Sequence, residues 1–263
     1  MTSIAITGVA GRMGVRLLAL ARQAGTFTFA GAIERGDHPM LEHDAGELAG
    51  VGNIGLPITS DLRSTPQVLI DFTAASSMRH WLKVCRDRKI AMLIGTTGLS
   101  DADHAAIDQA AHHIPVLQSP NMSLGVAVLT RLAEQAVKML GDEYDVEIVE
   151  AHHRFKKDAP SGTAAALADA VLKAVGKGPE ALVYTRHGDD VARQRGQVGM
   201  HSLRVGDEVG RHTIYMGALG ERIELTHVAT SRDTFVHGAL RSATWLATQK
   251  PGRYRIGDVL GLR

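Results

Sequence analysis

The sequence predicts an α/β chain of two domains, one on a parallel sheet with helices between its strands, the other an α+β domain with a mostly antiparallel sheet. Three observations carry this. From Ser3 to Ser119 short apolar runs (SIAITG, FTFAGAIE, VLIDFT, AMLIGTTG, PVLQS) alternate with stretches of helical spacing such as VRLLALARQAG and SSMRHWLKVCRDR. Continuous apolar strands of that kind are buried on both faces by crossover helices. Beyond about Leu124 the alternation gives way to MHSLRVGD, VGRHTIYMG and ERIELTHVA, strands of mixed polarity with glycine turns at Gly206–Val209 and Gly217–Gly220. Finally, 263 residues are enough to bury two modest cores.

Composition narrows the partners. Lys and Arg number 29 against 28 Asp and Glu, a net charge of +1, so nothing demands a nucleic acid or an anionic membrane. The single cysteine, Cys85, excludes an intramolecular disulfide, fits a reducing compartment, and reads as a small core residue on a helix. The start, MTSIAITG, lacks the basic and apolar segments of a signal peptide, and no apolar run reaches about 18 residues. A soluble, cytoplasmic protein is expected.

Taken in order, SIAITG closes on Gly8 and VAGRMG leads into the first helix, giving Gly8, Gly11 and Gly14 a G-x-x-G-x-x-G spacing. Ala10 stands where the usual G-x-G-x-x-G fingerprint of a Rossmann-type turn has its second glycine. A tight turn without a ligand would read the same way. The next strand adds weight, because it ends on Glu34, twenty positions after Gly14, where a dinucleotide fold places the carboxylate for the adenosine ribose hydroxyls. Arg35 follows, and a guanidinium can meet a 2′-phosphate, so both NADH and NADPH are expected. Residues 36–57 read as a long surface connection whose acids and histidines lack a metal-ligand spacing. The strand ends at Gly95–Gly98 and Ser119 would lie at the carboxyl edge of the sheet, where open α/β sheets bind ligands.

In the second domain, YDVEIVEAHH runs as a strand into EAHHRFKKDAPSGTA, residues 150–164. Ala159 precedes a proline and is pushed toward extended geometry, and Ser161, Gly162 and Thr163 open the helical run AAALADAVLKAV. The free N–H groups of that helix start suit an anion, and His152, His153, Arg154, Lys156 and Lys157 add donors and positive charge. A small, multiply anionic substrate that must gain a proton fits this loop, although a capped helix after a basic loop is also ordinary structure. His201, His212 and His227 read as packing or hydrogen-bonding residues. The sheet's open face suits self-association. The chain closes with the helix SRDTFVHGALRSATWLATQK and the tail PGRYRIGDVLGL.

The stretch from Glu150 resembles the central motif of the 4-hydroxy-tetrahydrodipicolinate reductase (dihydrodipicolinate reductase) family, E-x-H-H-x-x-K-x-D-x-P-S-G-T, matched at Glu150, His152, His153, Lys156, Asp158, Pro160, Ser161, Gly162 and Thr163. Phe155 departs from it, standing where relatives often carry a polar or basic residue. The resemblance runs from Ile4 to Leu260. It implies hydride transfer from NADH or NADPH to 4-hydroxy-tetrahydrodipicolinate, a dicarboxylate, with loss of water, in diaminopimelate and lysine synthesis. It implies cofactor contacts at Gly8, Val9, Ala10, Gly11, Arg12, Met13, Glu34 and Arg35, and nicotinamide-side contacts at Gly95, Thr96, Thr97, Ser119, Pro120, Asn121 and Met122. Substrate binding then falls to His153, Gly162 and Thr163, and acid/base chemistry to His152 and Lys156, with Lys156 the first candidate donor and His152 tuning or relaying the proton. The family is tetrameric through the second-domain sheet, and its C-terminal segment packs back on the nucleotide domain. The expected division is therefore 1–123 with 233–263 for the dinucleotide, and 124–232 for substrate and oligomerisation. Two rival readings are another two-domain dehydrogenase of the aspartate pathway and a dinucleotide sensor without chemistry. A thioester-forming aldehyde dehydrogenase would need a catalytic cysteine, and Cys85 lies in a helical run; a sensor would lack the acid/base pair.

Overall fold

The computed structural model describes residues 1–262 and divides into two compact units, one of residues 1–124 with the stretch from Asp233 onward, the other Gly125–Arg232. In the first unit the strands are β1 (Thr2–Thr7), β2 (Phe27–Ile33), β3 (Ile58–Thr59), β4 (Val68–Asp71), β5 (Ala91–Ile94) and β6 (Pro115–Gln118). The connecting helices are α1 (Arg12–Ala24), α2 (Ala45–Leu48), α3 (Ala75–Arg88) and α4 (Asp101–Ala111). The strands lie in the order β3-β2-β1-β4-β5-β6, all parallel, which is the strand order of doubly wound dinucleotide folds. Alternate residues of each strand face opposite sides. Ile4, Ile6, Val68, Ile70 and Leu93 join Leu17 and Leu18 of α1 in one core, while Ala5, Leu69, Met92 and Ile94 join Met78, Trp81 and Cys85 of α3 and Ile107 of α4 in the other. Helix α4 starts on a capping box: Ser100 Oγ accepts from Asp103 N at 3.2 Å and Asp103 Oδ2 accepts from Ser100 N at 2.9 Å.

Residues 36–57, expected as a long surface connection, carry the one-turn helix α2 and lead into β3. Asp44 organises this stretch, accepting from the N–H groups of Gly46 (2.9 Å), Glu47 (3.1 Å), Ile54 (3.1 Å) and Leu56 (2.8 Å). Elements of four and two residues are too short to leave a period in a sequence.

The second unit contains α5 (Leu124–Leu140), which begins at the boundary, β7 (Asp145–His152), α6 (Gly162–Ala174), β8 (Leu182–Val183), β9 (Val198–Arg204), β10 (Gly210–Ala218) and β11 (Glu221–Ala229). Its sheet, in the order β11-β10-β7-β9-β8, is mixed: β11, β10 and β7 are antiparallel neighbours, but β7, β9 and β8 are parallel. The mostly antiparallel sheet expected from the sequence holds on one side of β7 only. A parallel pair needs a long crossover, and α6 with the residues after it supplies one between β7 and β9. The turn at Gly206–Val209 therefore does not close a hairpin, since β9 and β10 flank β7. A two-residue hairpin does join β10 to β11 through Leu219 and Gly220, the glycine at φ 92°.

One face of this sheet packs on the helices. Val146, Ile148, Val198, Met200, Ile214 and Met216 meet Leu129, Ala133 and Val137 of α5 and Leu167, Ala168 and Val171 of α6. Along the same face the register sets His227 opposite His212, His212 opposite Glu150 and Glu150 opposite Ser202, so two apolar rows are followed by a polar one near the end of β7.

The chain then returns to the first unit through α7 (Asp233–Leu246), β12 (Gly252–Tyr254) and α8 (Ile256–Val259). Val236, Ala239, Leu240, Ala243 and Leu246 of α7 complete the core under α1, and β12 adds a seventh parallel strand beside β6. Arg16 of α1 and Asp233 at the start of α7 form a two-bond ion pair, at 3.0 and 2.6 Å.

Candidate active site

In the first unit the expected cofactor residues gather at the carboxyl edge of the parallel sheet. Gly8 follows β1 at φ 64°, Gly11 N donates to Gly8 O at 2.9 Å, and Gly11 is the N-cap of α1, which opens with Arg12 and Met13. The helix approaches the turn so closely that a Cβ on Gly14 would meet Val9 Cα at 2.5 Å and Val9 O at 2.7 Å. Glu34 sits just beyond β2, where its Oε1 accepts from Ala10 N at 3.0 Å, so this carboxylate and the glycine turn are joined directly. The guanidinium of Arg35 lies in solvent beside Asp37, with Nε–Oδ1 at 3.0 Å. Such a turn, with a Cβ-free approach and free helix-start N–H groups, fits the pyrophosphate of a dinucleotide. Val9 and Met122 are both about 1 % exposed and packed in the core, leaving only their main chain for a ligand.

The switch of strand order between β1 and β4 is closed by one buried carboxylate. Asp71 Oδ1 accepts from Thr7 Oγ1 and Thr73 Oγ1, both at 2.7 Å, and Oδ2 accepts from Thr96 Oγ1 at 2.6 Å. The ends of β1, β4 and β5 are thereby locked together. Gly95 lies where a Cβ would strike the Phe72 ring, and Thr97 is exposed. Ser119 N donates to Ile94 O at 3.1 Å, bringing the loop of Ser119, Pro120 and Asn121 beside that of Gly95 and Thr96; Asn121 Oδ1 accepts from Ser123 N at 2.8 Å. A cleft next to Gly8, Glu34 and Arg35 is also lined by Ser77, His80 and Trp81 of α3. Sequence reading passed over these three; their i, i+3, i+4 spacing on a helix otherwise packed in the core was the available signal. Cys85, on the same helix, is buried, and burial pushes its thiol up, away from thiolate chemistry.

In the second unit β7 ends at His152 and the loop of His153 to Pro160 follows, tied at its root by Arg154 N donating to Gly206 O at 3.1 Å. Lys156 Nζ pairs with both carboxylate oxygens of Asp158, at 2.9 and 2.8 Å, and this ammonium holds the Asp158 carboxyl below its usual range. Ser161 caps α6, its Oγ accepting from Ala164 N at 3.2 Å. Gly162 is exposed with open space around its Cα, and Thr163 follows, so no side chain of Gly162 blocks access to the helix start. His153 Nδ1 is buried without a partner among the described residues, and its Nε2 lies 3.4 Å from Arg232 Nη2.

Beneath this surface lie Glu150, Ser161, His212 and Arg204: the sequence reading had the first two only as motif positions and a helix start and His212 as a packing or hydrogen-bonding residue, and it gave Arg204 no role. Glu150 is 0 % exposed, yet it receives His152 Nδ1, Ser161 N at 3.2 Å and Arg204 Nη1 and Nη2 at 3.1 and 2.9 Å. Burial is the strongest influence on this carboxyl and pushes it up, but the donors of Arg204, Ser202 and His152 together hold it below the usual carboxylate range. His212, 4 % exposed and 5.3 Å from the His152 ring, is pushed down to about 4, first by burial and then by His152 and His227. It is thus a neutral ring, with Nε2 3.4 Å from Ser161 Oγ.

Comparison with known proteins agrees with this geometry in both units. Residues 2–122 match the family model for the N-terminus of dihydrodipicolinate reductase, and residues 125–260 match that for its C-terminus. A 4-hydroxy-tetrahydrodipicolinate reductase from Anaeromyxobacter dehalogenans is 46% identical over 268 residues, covering 100% of this chain and 99% of the relative. One from Acinetobacter baumannii is 44% identical over 263 residues, covering 98% and 96%. Among solved structures, a dipicolinate-bound dihydrodipicolinate reductase from Paenisporosarcina sp. TG-14 superposes with a TM-score of 0.74 over 97% of each chain at 21% identity, a likeness of fold. With both halves of the chain matched in order and relatives similar from end to end, the chain belongs to the dihydrodipicolinate reductase family.

Proposed function

We propose that the chain performs the family's reaction through the two half-sites above: NAD(P)H-dependent reduction of 4-hydroxy-tetrahydrodipicolinate, with loss of water, to tetrahydrodipicolinate. The observation that carries this is the start of α6, where Gly162, exposed and with open space around its Cα, opens the helix beside His152, His153 and Lys156. A dicarboxylated ring needs such a cradle for one carboxylate and cationic donors for the rest. The nicotinamide supplies the hydride when bound. The glycine turn and Glu34 hold the adenosine and pyrophosphate, the loops at Gly95–Thr97 and Ser119–Met122 face the nicotinamide half, and Lys156 with His152 delivers the proton. Lys156 is the donor in this reading, and its ion pair with Asp158 keeps the ammonium aimed along the loop until substrate carboxylates compete for it.

The test is consumption of NADH, followed by absorbance, with enzymatically generated 4-hydroxy-tetrahydrodipicolinate, set against aspartate semialdehyde and homoserine. Turnover of the first alone supports the reading. Turnover of either of the others in its place would transfer the chain to another aspartate-pathway reaction.

Two finer points belong to the same proposal. Glu34 serves the ribose hydroxyls and Arg35 the 2′-phosphate, so both coenzymes are used. Arg35→Ala then weakens NADPH by about 1.5–3 kcal/mol and leaves NADH nearly unchanged, as separate titrations of each coenzyme will read. Equal losses would mean that Arg35 supports the turn and does not read the phosphate.

The second point is self-association through the uncovered face of the mixed sheet. Leu203 and Val228, 52% and 44% exposed, share a row with Arg211 and Ala151 on the face turned away from α5 and α6. Exposed apolar side chains flanking Arg211 near one end of an uncovered sheet face suit a symmetric interface, and a tetramer is expected. Light scattering checks it: a species of 28.1 kDa at micromolar concentration would remove this proposal.

A further inference from the structure

Glu150 lies on the helix-covered face of β7, in line with Val146 and Ile148, where an apolar residue would fill the row at least as stably as a buried ion pair. Its partners are specific instead. The carboxylate touches the His152 ring at Nδ1 on one side and the main chain of Ser161, the cap of α6, on the other, while Arg204 reaches it from β9 with two N–H groups. Arg204 Nη2 continues to Asp158 O at 2.5 Å, so the same pair also holds the end of the loop that carries Lys156.

We propose that Glu150 is the positioning residue of the proton transfer: it fixes the His152 ring through Nδ1, leaves Nε2 as the nitrogen that exchanges a proton, and sets the distance from that ring to the carboxylate-binding start of α6. This rests on the assignment of His152 to proton handling made above. A ring that donates Nδ1–H to a buried carboxylate is held in one tautomer, with Nε2 left as the nitrogen that can exchange a proton. Room for that nitrogen comes from Gly210, where a Cβ would lie 3.1 Å from Nε2. The charged and titratable groups around the ring are Glu150 on its own strand, Arg204 on β9, His212 and His227 on β10 and β11, and the Lys156–Asp158 pair of the loop; α6 offers the Ser161 hydroxyl. Burial depresses both His212 and His227, so neither competes with His152 for the carboxylate's charge.

Two measurements on the full chain test this. In nitrogen-15 spectra of histidine-labelled protein, with the His152 signals identified by their loss in His152→Gln, the neutral ring should carry its proton on Nδ1; a proton on Nε2 overturns the proposal without need of a Glu150 variant. In kinetics, Glu150→Gln should lower kcat about 10- to 100-fold and move the pH–kcat profile toward lower pH by about one unit, because an amide no longer stabilises the imidazolium. Glu150→Asp should recover part of both, and the coenzyme Kd, set by the other unit, should stay within about twofold. A residue needed only for folding would lower the amount of active protein and leave the profile in place, and an unmoved profile overturns the proposal. A damaged His152→Gln beside a normal Glu150→Gln would remove this inference alone. A normal His152→Gln would remove it together with the reading beneath it.

Discussion

Replacing His152 with Gln, or Lys156 with Met, lowers kcat by about 10²- to 10⁴-fold and leaves the coenzyme Kd within about threefold. The separation is expected because both residues stand on the second compact unit, while the glycine turn and Glu34 stand on the first. In the proposed reaction each would act on charge that develops only as the proton moves, so its removal should be felt in the transition state. The double variant should lose far less than the product of the two, since groups serving one proton transfer fail together. In the same proposal Lys156 would also meet an anionic substrate, so its loss should raise KM, whereas His152 should act mainly on kcat. Turnover within a few-fold of normal in either variant, once melting shows it folded, would take that residue out of the mechanism.

Gly14→Ala should raise the Kd of NADH about 10²-fold or more and destabilise the first unit. Helix propensity argues the other way, favouring alanine by about 1 kcal/mol inside a helix. Sterics decide against it, because the new methyl would meet Gly8 O, Val9 Cα and Val9 O, all main-chain atoms that no rotamer can move aside. Overpacking of this kind typically costs about 1–3 kcal/mol, and α1 can relieve it only by withdrawing from the turn. That withdrawal pulls the free N–H groups of the helix start off the pyrophosphate, and two lost charged hydrogen bonds at about 1.5–3 kcal/mol each account for the affinity. Titration of NADH with a parallel thermal melt measures both effects. A more stable variant with unchanged affinity would show that propensity wins and that close approach is not what the glycine provides.

The parallel unit was readable because its longer strands are short apolar runs alternating with stretches of helical spacing, and a doubly wound sheet makes that pattern repeat. Its two-residue strand β3 was not, having no room for a period. The half-site of His152, His153, Lys156 and Gly162 was readable for a different reason: one stretch of fifteen residues carries all of it. Arg204 and His212 reach that site only through register, from strands some fifty and sixty residues away, and register across a sheet is a tertiary property. Glu150 did leave a trace. It has the same parity along β7 as Val146 and Ile148, so the strand's own alternation places a carboxylate on its buried face. The order of strands around β7 left none, because the turn at Gly206–Val209 has the same chemistry whether the strands it joins pair with each other or flank a third.

The first unit is written in two pieces, and its second piece is made only after the whole of the second unit. Until Val236, Leu240 and Leu246 arrive, one face of the sheet built by β1, β4 and β5 has no α7 to cover it, and β6 is an open edge until β12 pairs with it. Residues 125–232, by contrast, are contiguous and can close their own core while still attached to the ribosome. Completing the first unit before that would mean ordering a flexible loop of more than a hundred residues, whereas a folded insertion shortens the effective loop and lowers the entropy of closure. The order of synthesis thus favours a nascent chain in which the second unit exists first and the first unit waits, with part of its apolar face uncovered, for α7. That interval is when this protein is most exposed to aggregation, and a ribosome stalled between Arg232 and Leu246 would hold it there.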